Sequence, residues 1–385
     1  MDELRFALIG GGFMGKAHAA ALATLPIYAW PPPSLPVRAV VAEATDELAE
    51  EARTRLGFER ASSDWRTVLE DPDVDVVDVV LPNHLHHDVV LAALAAGKHV
   101  ICEKPLAPSV EGCLEMTEAA DAAGVVHQVG FNWRLTPAVL LARKLIDDGT
   151  IGEVRNFRGY WLGDFGGPDL PMTWRFRRDT AGSGALGDLG SHIIDFARFL
   201  VGEITEVVSD RRTYVAERAL ADGGMGPVDV DDDTTAMLRF DTGALGYLQA
   251  SWAAPGRKSA AGFEISGSEG SLAFDWERMN ELRVYDSRDP IDRQGFRTVA
   301  IGPQHPEAEH FWPLPAYQIG YADTKVIQLL DFLRAVAGEG DVQTGFGAGL
   351  AAAEVEHAIQ QSWEQGGWVQ VQGHRVGGAS ERGAR

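Results

Sequence analysis

A glycine-rich turn, Gly10-Gly11-Gly12-Phe13-Met14-Gly15, stands between the apolar run Phe6 to Ile9 and the helix-opening segment Lys16-Ala17-His18-Ala19-Ala20. Strand, glycine turn and helix in this order constrain the chain more than any other feature, because they define the first crossover of a parallel sheet. Gly10 permits the tight turn, Gly12 lets main chain approach a pyrophosphate, and Gly15 lets the helix pack closely on the sheet. The unpaired N–H groups of the first helical turn then face the anion. A dinucleotide site is the expectation.

The first third of the chain keeps this rhythm. Apolar runs Val37 to Ala42, Val74 to Leu81, His99 to Cys102 and Val125 to Val129 alternate with amphipathic or alanine-rich segments Asp46 to Leu56, Asp88 to Ala96 and Val110 to Ala123. The alternation predicts an α/β Rossmann domain over residues 1–130, a doubly wound parallel sheet with helices on both faces. Further on come longer alternating runs with few helices between them: Arg155 to Leu162, Thr234 to Phe240, Ala244 to Trp252, Phe263 to Ser266 and Ser271 to Trp276. Asp241-Thr242-Gly243 reads as a hairpin turn. These runs predict an α+β domain over residues 131–372 with a mostly antiparallel open sheet. Its later part holds a loop-rich stretch, Asp286 to Gly320, helices Thr324 to Ala337 and Ala348 to Glu364, and a closing strand Trp368 to Val371. Residues 373–385, nearly without apolar side chains, read as a flexible tail.

Charge narrows the classes of partner. Among 385 residues 56 are acidic and 34 basic, a formal net charge of −22. A field of that sign repels phosphate backbones and anionic lipid, so neither nucleic acid nor membrane is expected as a partner. Apolar stretches such as Val89 to Ala96 fall short of the roughly 18 residues that span a bilayer. Asp2 and Glu3 stand where a secretory leader carries a basic flank. With only two cysteines, Cys102 and Cys113, a cytoplasmic, reducing compartment is expected.

The acid that holds a ribose is expected about 20 residues beyond the glycine turn, at the end of the second strand. Glu43 ends that strand, and setting aside the proline-rich stretch Pro26 to Pro36 as an insertion restores the spacing. A carboxylate there accepts hydrogen bonds from both ribose hydroxyls and repels a 2′-phosphate. No Arg follows in Ala44-Thr45, so NAD is favoured over NADP.

Three further stretches complete a pattern. Asn83-His84-Leu85-His86 follows the run Val76 to Leu81, Gly97-Lys98-His99-Val100-Ile101-Cys102-Glu103-Lys104-Pro105 spans the next strand, and Gly184-Ala185-Leu186-Gly187-Asp188-Leu189-Gly190-Ser191-His192 comes later. With the glycine turn, their order and spacing resemble the Gfo/Idh/MocA family of sugar and cyclitol oxidoreductases over nearly the entire chain. Within that family, Ile9 to His18, Trp30-Pro31, Phe131-Asn132-Trp133-Arg134 and Thr173-Trp174-Arg175-Phe176 look like those of members that oxidise levoglucosan. The resemblance implies NAD-dependent oxidation of a secondary ring hydroxyl of a neutral sugar, with levoglucosan at its C3 hydroxyl as the first choice and hydride transfer to nicotinamide C4. Inositol 2-dehydrogenation and NAD-using glycosidase chemistry are the alternatives, and a redox-silent sugar-responsive protein is a third. A homodimer or homotetramer is also implied.

The residues agree with such chemistry. A hydride must leave carbon while a base accepts the hydroxyl proton. Lys104 lies just beyond a parallel strand, at the sheet edge where doubly wound folds bind ligands, and its ammonium would stabilise a developing alkoxide. Asp188 and His192 are four apart and would share one face of a helix, the imidazole accepting the proton and Asp188 orienting the hydroxyl or the ring. Whether Lys104 or His192 is the final base stays open. By resemblance the cofactor contacts extend from Gly10, Gly12, Gly15 and Glu43 to Phe13, Met14, Asn83, His86, Glu103, Lys104, Asn132, Trp174 and Arg175. Substrate contacts comprise Lys104, Asn132, Trp133, Arg134, Asp188 and His192. Trp133, Trp161 and Trp174 offer flat rings suited to the C–H face of a compact sugar.

No metal is expected. His84, His86 and His87 lack partner cysteines or carboxylates at ligand spacing. Asp229, Asp231 and Asp233 begin like a calcium loop, but Thr234 and Phe240 stand where Gly and Glu are required. Cys102, at the end of an apolar strand, reads as core rather than nucleophile.

Overall fold

Strands buried on both faces need continuous apolar runs, and the first unit of the fold is built from them. In β1 (Glu3–Ile9), β4 (Val76–Val79) and β5 (His99–Cys102) nearly every residue is buried. With β2 (Leu35–Ala42), β3 (Arg60–Ser62) and β6 (His127–Val129) they form a six-stranded sheet in the order β3-β2-β1-β4-β5-β6. Every pairing in it is parallel. Crossovers run through α1 (Phe13–Tyr28), α2 (Asp46–Leu56), α3 (Trp65–Leu69), α4 (His86–Ala95) and α5 (Val110–Ala123). Side-chain caps start α2 and α5, where Thr45 accepts from the Leu48 amide and Ser109 from the Gly112 amide. This is the doubly wound order that opens a binding edge beside β1 and β4.

The computed structural model describes residues 1–374 and separates into two units, residues 1–132 with 319–351 and 374, and residues 133–318 with 352–373. The continuous second domain expected over residues 131–372 is therefore interrupted. Helix Tyr321–Val336 packs on α1, and its Phe332 ring meets those of Phe6 and His99 at centroid distances of 6.4 and 6.5 Å. The Val129 amide donates to Thr344 O at 2.7 Å. The returning segment supplies apolar cover that α1 and β1 need, which a boundary drawn from periodicity alone does not reveal. Of the expected tail, residues 375–385 lie outside the described residues. The stretch Pro26 to Pro36 is also not a single insertion: Pro26 to Tyr28 form the last turn of α1, and Leu35-Pro36 open β2.

The second unit carries the expected mostly antiparallel sheet. Nine strands follow one another across it: Arg297–Ala300, Glu281–Asp286, Gly270–Asp275, Ala260–Gly267, Val154–Leu162, Leu245–Ser251, Asp233–Phe240, Ile204–Arg212 and Val369–Gln370. Val154–Leu162 and Leu245–Ser251 run parallel, whereas the other neighbours are antiparallel. One face is apolar and covered: Phe196 of helix Ser191–Leu200 meets Phe263 at 5.5 Å and Phe274 at 6.2 Å. The strand Ile204–Arg212 and the helix Pro137–Asp147 have no counterpart in the sequence reading. The stretch read as loop also holds strand Arg297–Ala300.

Because Phe332 is fully buried on the first unit, Phe332→Ala should destabilise it by about 3–5 kcal/mol. Urea unfolding followed by tryptophan fluorescence measures this, and a loss below about 1 kcal/mol would contradict the packing.

Candidate active site

The glycine turn has the geometry that a pyrophosphate requires. Gly10 has φ +108°, and a Cβ there would lie 2.9 Å from Val80 O, whereas nothing stands within 4 Å of the corresponding point at Gly12. Helix α1 begins at Phe13 without a side-chain cap, so its first amides face open space over Gly12. Glu43 Oε1 accepts from the Gly11 amide at 2.6 Å, which holds the carboxylate against the glycine turn. Arg55 donates to Gly11 O at 2.6 Å from the other side. The exposed Phe13 ring stacks on Tyr321 at 6.0 Å, and the Tyr321 hydroxyl donates to Met14 Sδ at 3.3 Å. These residues fit a dinucleotide.

Of the other residues expected to contact cofactor, Asn83 is buried in the 3-10 turn after β4. Asn132 is buried too and donates through Nδ2 to Thr324 Oγ1 at 2.6 Å. His86 is fully buried, with Nε2 2.8 Å from Leu81 O and Nδ1 3.1 and 3.2 Å from Pro105 O and Leu106 O. Burial lowers its pKa. The ring ties the turn after β4 to the segment that carries Lys104.

Glu103 is also inside. Its Oε1 accepts from His18 Nε2 at 2.9 Å and from Lys325 Nζ, and its Oε2 accepts from the Lys104 amide at 3.2 Å. Burial alone would raise its pKa, but Lys325 and His18 hold it well below the usual carboxylate range. Lys104 itself is half-buried at the carboxyl end of β5.

In the second unit, Asp188 sits in a π-helical turn, Leu186–Gly190, that feeds directly into helix Ser191–Leu200 and His192. The expected regular helix through both residues is thus replaced by a wider turn, a feature frequent at functional sites. Asp231 fixes the entry to it: Oδ1 accepts from the Gly184 amide at 2.7 Å and Oδ2 from the Leu186 amide at 2.8 Å. A Cβ on Gly184 would meet Asp231 O at 1.9 Å, so glycine is required there. His192 is buried and stacked on Trp133 at 4.5 Å, 16° from parallel. Trp133 in turn touches Trp161 at 4.3 Å and Trp276 at 3.9 Å. The expected trio of tryptophans is therefore only partly assembled. Trp174 lies under Arg175 at 4.4 Å, and Arg175 Nε is 3.7 Å from Asp188 Oδ2. Arg134, expected to touch substrate, has its guanidinium bound by Asp195, with Nε at 2.9 Å.

Sequence reasoning missed His18, Asp78, Lys325, Tyr321, Trp276 and the role of Asp231. Asp231 had a visible signal, the run Asp229 to Asp233, but its carboxylate holds main-chain amides. Among the described residues no group of His, Cys, Asp or Glu could hold a metal ion. Cys102 and Cys113 are buried, and burial raises the Cys102 pKa well above its usual value, which suits a core residue.

Comparison with known proteins gives the same picture. Residues 4–131 match the oxidoreductase family, NAD-binding Rossmann fold, and residues 139–273 match the GFO/IDH/MocA C-terminal domain. The chain is 48% identical to the levoglucosan dehydrogenase of Pseudarthrobacter phenanthrenivorans, over 96% of this chain and 99% of that one. It is 33% identical to the scyllo-inositol 2-dehydrogenase (NAD(+)) of Bacillus subtilis, over 74% of this chain and 78% of that one. A solved levoglucosan dehydrogenase in complex with NADH and levoglucosan superimposes with a TM-score of 0.94 at 49% identity, covering 96% of this chain and 100% of that one. No helix among the described residues is long and apolar enough to cross a membrane.

His18 offers a test of the buried charges. Burial and Lys325 lower its pKa, but Asp78 and the hydrogen bonds to Asp78 and Glu103 prevail and raise it. A raised folded pKa adds stability that is complete below the unfolded value of about 6.5 and fades as pH rises through the folded value. The unfolding free energy lost in His18→Asn should therefore be larger near about pH 6 than near about pH 9 in urea titrations.

Proposed function

We propose, for a chain that belongs to the Gfo/Idh/MocA family of oxidoreductases, that it oxidises the C3 hydroxyl of levoglucosan with NAD as acceptor. The observation that carries this reading is the near full-length likeness to levoglucosan dehydrogenase; Lys104 at the end of β5, and Asp188 and His192 in one π-helical turn and the helix it feeds, support it.

NAD, when bound, supplies the hydride acceptor at nicotinamide C4. The first amides of α1 bind its pyrophosphate, and Glu43 accepts hydrogen bonds from its ribose hydroxyls. Lys104 stabilises negative charge on the substrate oxygen, and His192 takes the hydroxyl proton on its imidazole. Asp188 orients the substrate hydroxyl, itself steered by Arg175. The Trp133 stack fixes the plane of the His192 ring and excludes water from its face. Asn132 and Trp133 border the sugar. The short entry Gly184 to Leu186, pinned by Asp231, keeps this arrangement rigid.

A panel of anhydrosugars, aldoses and inositols with NAD, read by absorbance of reduced nicotinamide, tests the reading. Levoglucosan should be turned over with net NADH; turnover of inositol but not levoglucosan overturns the substrate, and sugar cleavage without net NADH indicates the glycosidase. Lys104→Ala and His192→Ala should each lower kcat roughly 10²–10⁴-fold.

We also infer that a second copy of the chain covers the open face of the nine-stranded sheet, giving a homodimer or homotetramer. Met237, Leu245 and Tyr247 are exposed on it, with Met237 and Tyr247 paired in register. Light scattering should find an oligomer for the native chain and a monomer for Met237→Glu/Tyr247→Glu; a native monomer overturns this. Two buried free thiols support a cytoplasmic setting.

A further inference from the structure

Behind Lys104 lies a cluster of charged side chains for which the proposed chemistry has no use. His18 of α1, Asp78 of β4, Glu103 after β5 and Lys325 of helix Tyr321–Val336 are all buried. His18 Nδ1 is 2.8 Å from Asp78 Oδ2, and Nε2 is 2.9 Å from Glu103 Oε1. Both ring nitrogens face carboxylate oxygens, so both donate and the ring is an imidazolium. Lys325 Nζ donates to the same Glu103 oxygen and to Gln328 Oε1, the latter at 2.9 Å. Two cations and two carboxylates leave the group neutral.

Stability alone does not account for it. Taking four charges out of water is costly, and apolar replacement of buried ion pairs is often neutral or stabilising. A ligand does not account for it either: the void beside His18, Asp78, Lys325 and Gln328 measures about 10 Å³, enough for about one water. Its link to the reaction is Glu103. A Cβ at Gly130 would lie 2.8 Å from the Glu103 carboxylate, so that carboxylate rests flat on main chain and has little room to turn. Its far oxygen, Oε2, accepts the Lys104 amide.

We propose that His18, Asp78 and Lys325 are positioning residues for the reaction: from three elements they lock the Glu103 carboxylate, which through the Lys104 amide fixes the main chain from which the reactive ammonium extends. Lys325 and His18 hold one carboxylate oxygen, leaving the other for Lys104. Asp78, on Nδ1, holds the plane of the His18 ring and balances its charge. Removal of any of the three loosens the Glu103 carboxylate against the Gly130 main chain, and the lysine loses its fixed origin while the dinucleotide turn is untouched. The inference rests on the role given to Lys104 above.

The test compares Lys325→Met, Lys325→Arg and the native enzyme by two readouts: steady-state kinetics with NAD and levoglucosan, and the rate at which an N-hydroxysuccinimide acetate labels Lys104 relative to Lys144, followed by mass spectrometry. Lys325→Met should lower kcat about tenfold or more with both KM values within about threefold, since displacement of a reacting group costs mainly turnover. It should change relative Lys104 labelling by about threefold or more, through a changed environment of the amine. Lys325→Arg should recover most of both. Unchanged kcat and labelling in folded Lys325→Met overturns the proposal, as does a fall in kcat that only mirrors loss of folded protein. Should Lys325→Met not fold, His18→Asn, which keeps the Glu103–Lys325 pair, carries the same two readouts and the same outcomes. A native chain that oxidises no sugar, while Lys104 labelling still shifts in Lys325→Met, defeats the functional reading and supports the positioning.

Discussion

Helix α1 can start where it does because main chain, not side chain, fills the space between it and the sheet. A Cβ on Gly15 would come within 2.2 Å of Gly10 O, so only glycine lets the first turn of the helix rest on the end of β1. From that contact the rest of the first unit follows. The bare N-terminus is exposed over Gly12, Glu43 reaches the Gly11 amide, and one turn further on His18 is lowered into the interior toward Asp78 and Glu103. The same helix then offers its outer side to the returning helix Tyr321–Val336, which brings Tyr321 to Phe13 and Lys325 to Glu103. A glycine turn that looks like a device for one ligand thus also places the charges under Lys104.

Local signals made much of this legible in the sequence. Helices Asp46–Leu56 and Val110–Ala123 and strand His99–Cys102 are read to the residue, since amphipathic or alanine-rich segments mark the helices and a short apolar run marks the strand. Strand Ile204–Arg212 was hidden because charges at Glu206, Asp210, Arg211 and Arg212 obscure its alternation. In the site, the glycine turn and Glu43 are short-range features and were visible. Lys325 was not, because it meets a carboxylate 222 positions away, and no period or spacing encodes such a pairing. His86 and Arg134 carry structural bonds that residue type and neighbourhood did not reveal: both His86 ring nitrogens meet main-chain carbonyls, and Arg134 Nε and Nη2 donate to Asp195.

The second unit obtains order by another route. The segment Gly184 to His192 is anchored through Asp231, whose carboxylate receives two amides and the Thr234 hydroxyl. The neighbouring Asp232 does similar work, accepting Trp252 Nε1 at 2.6 Å and the Tyr214 and Val215 amides. A run of aspartates that resembles a failed cation loop is thus a main-chain splint. Stacked rings then complete the job that hydrogen bonds began, with Trp276 and Trp133 bracing His192.

The parallel pair at the centre of the nine-stranded sheet bears on biosynthesis. Strand Val154–Leu162 leaves the ribosome long before Leu245–Ser251 and Ala260–Gly267, the two strands that flank it. At about 5–20 residues per second, the nascent strand waits on the order of several seconds for a neighbour. Throughout that interval Phe157, fully enclosed in the finished protein, has neither flanking strand beside it, so slower elongation lengthens the time an apolar central strand stands uncovered.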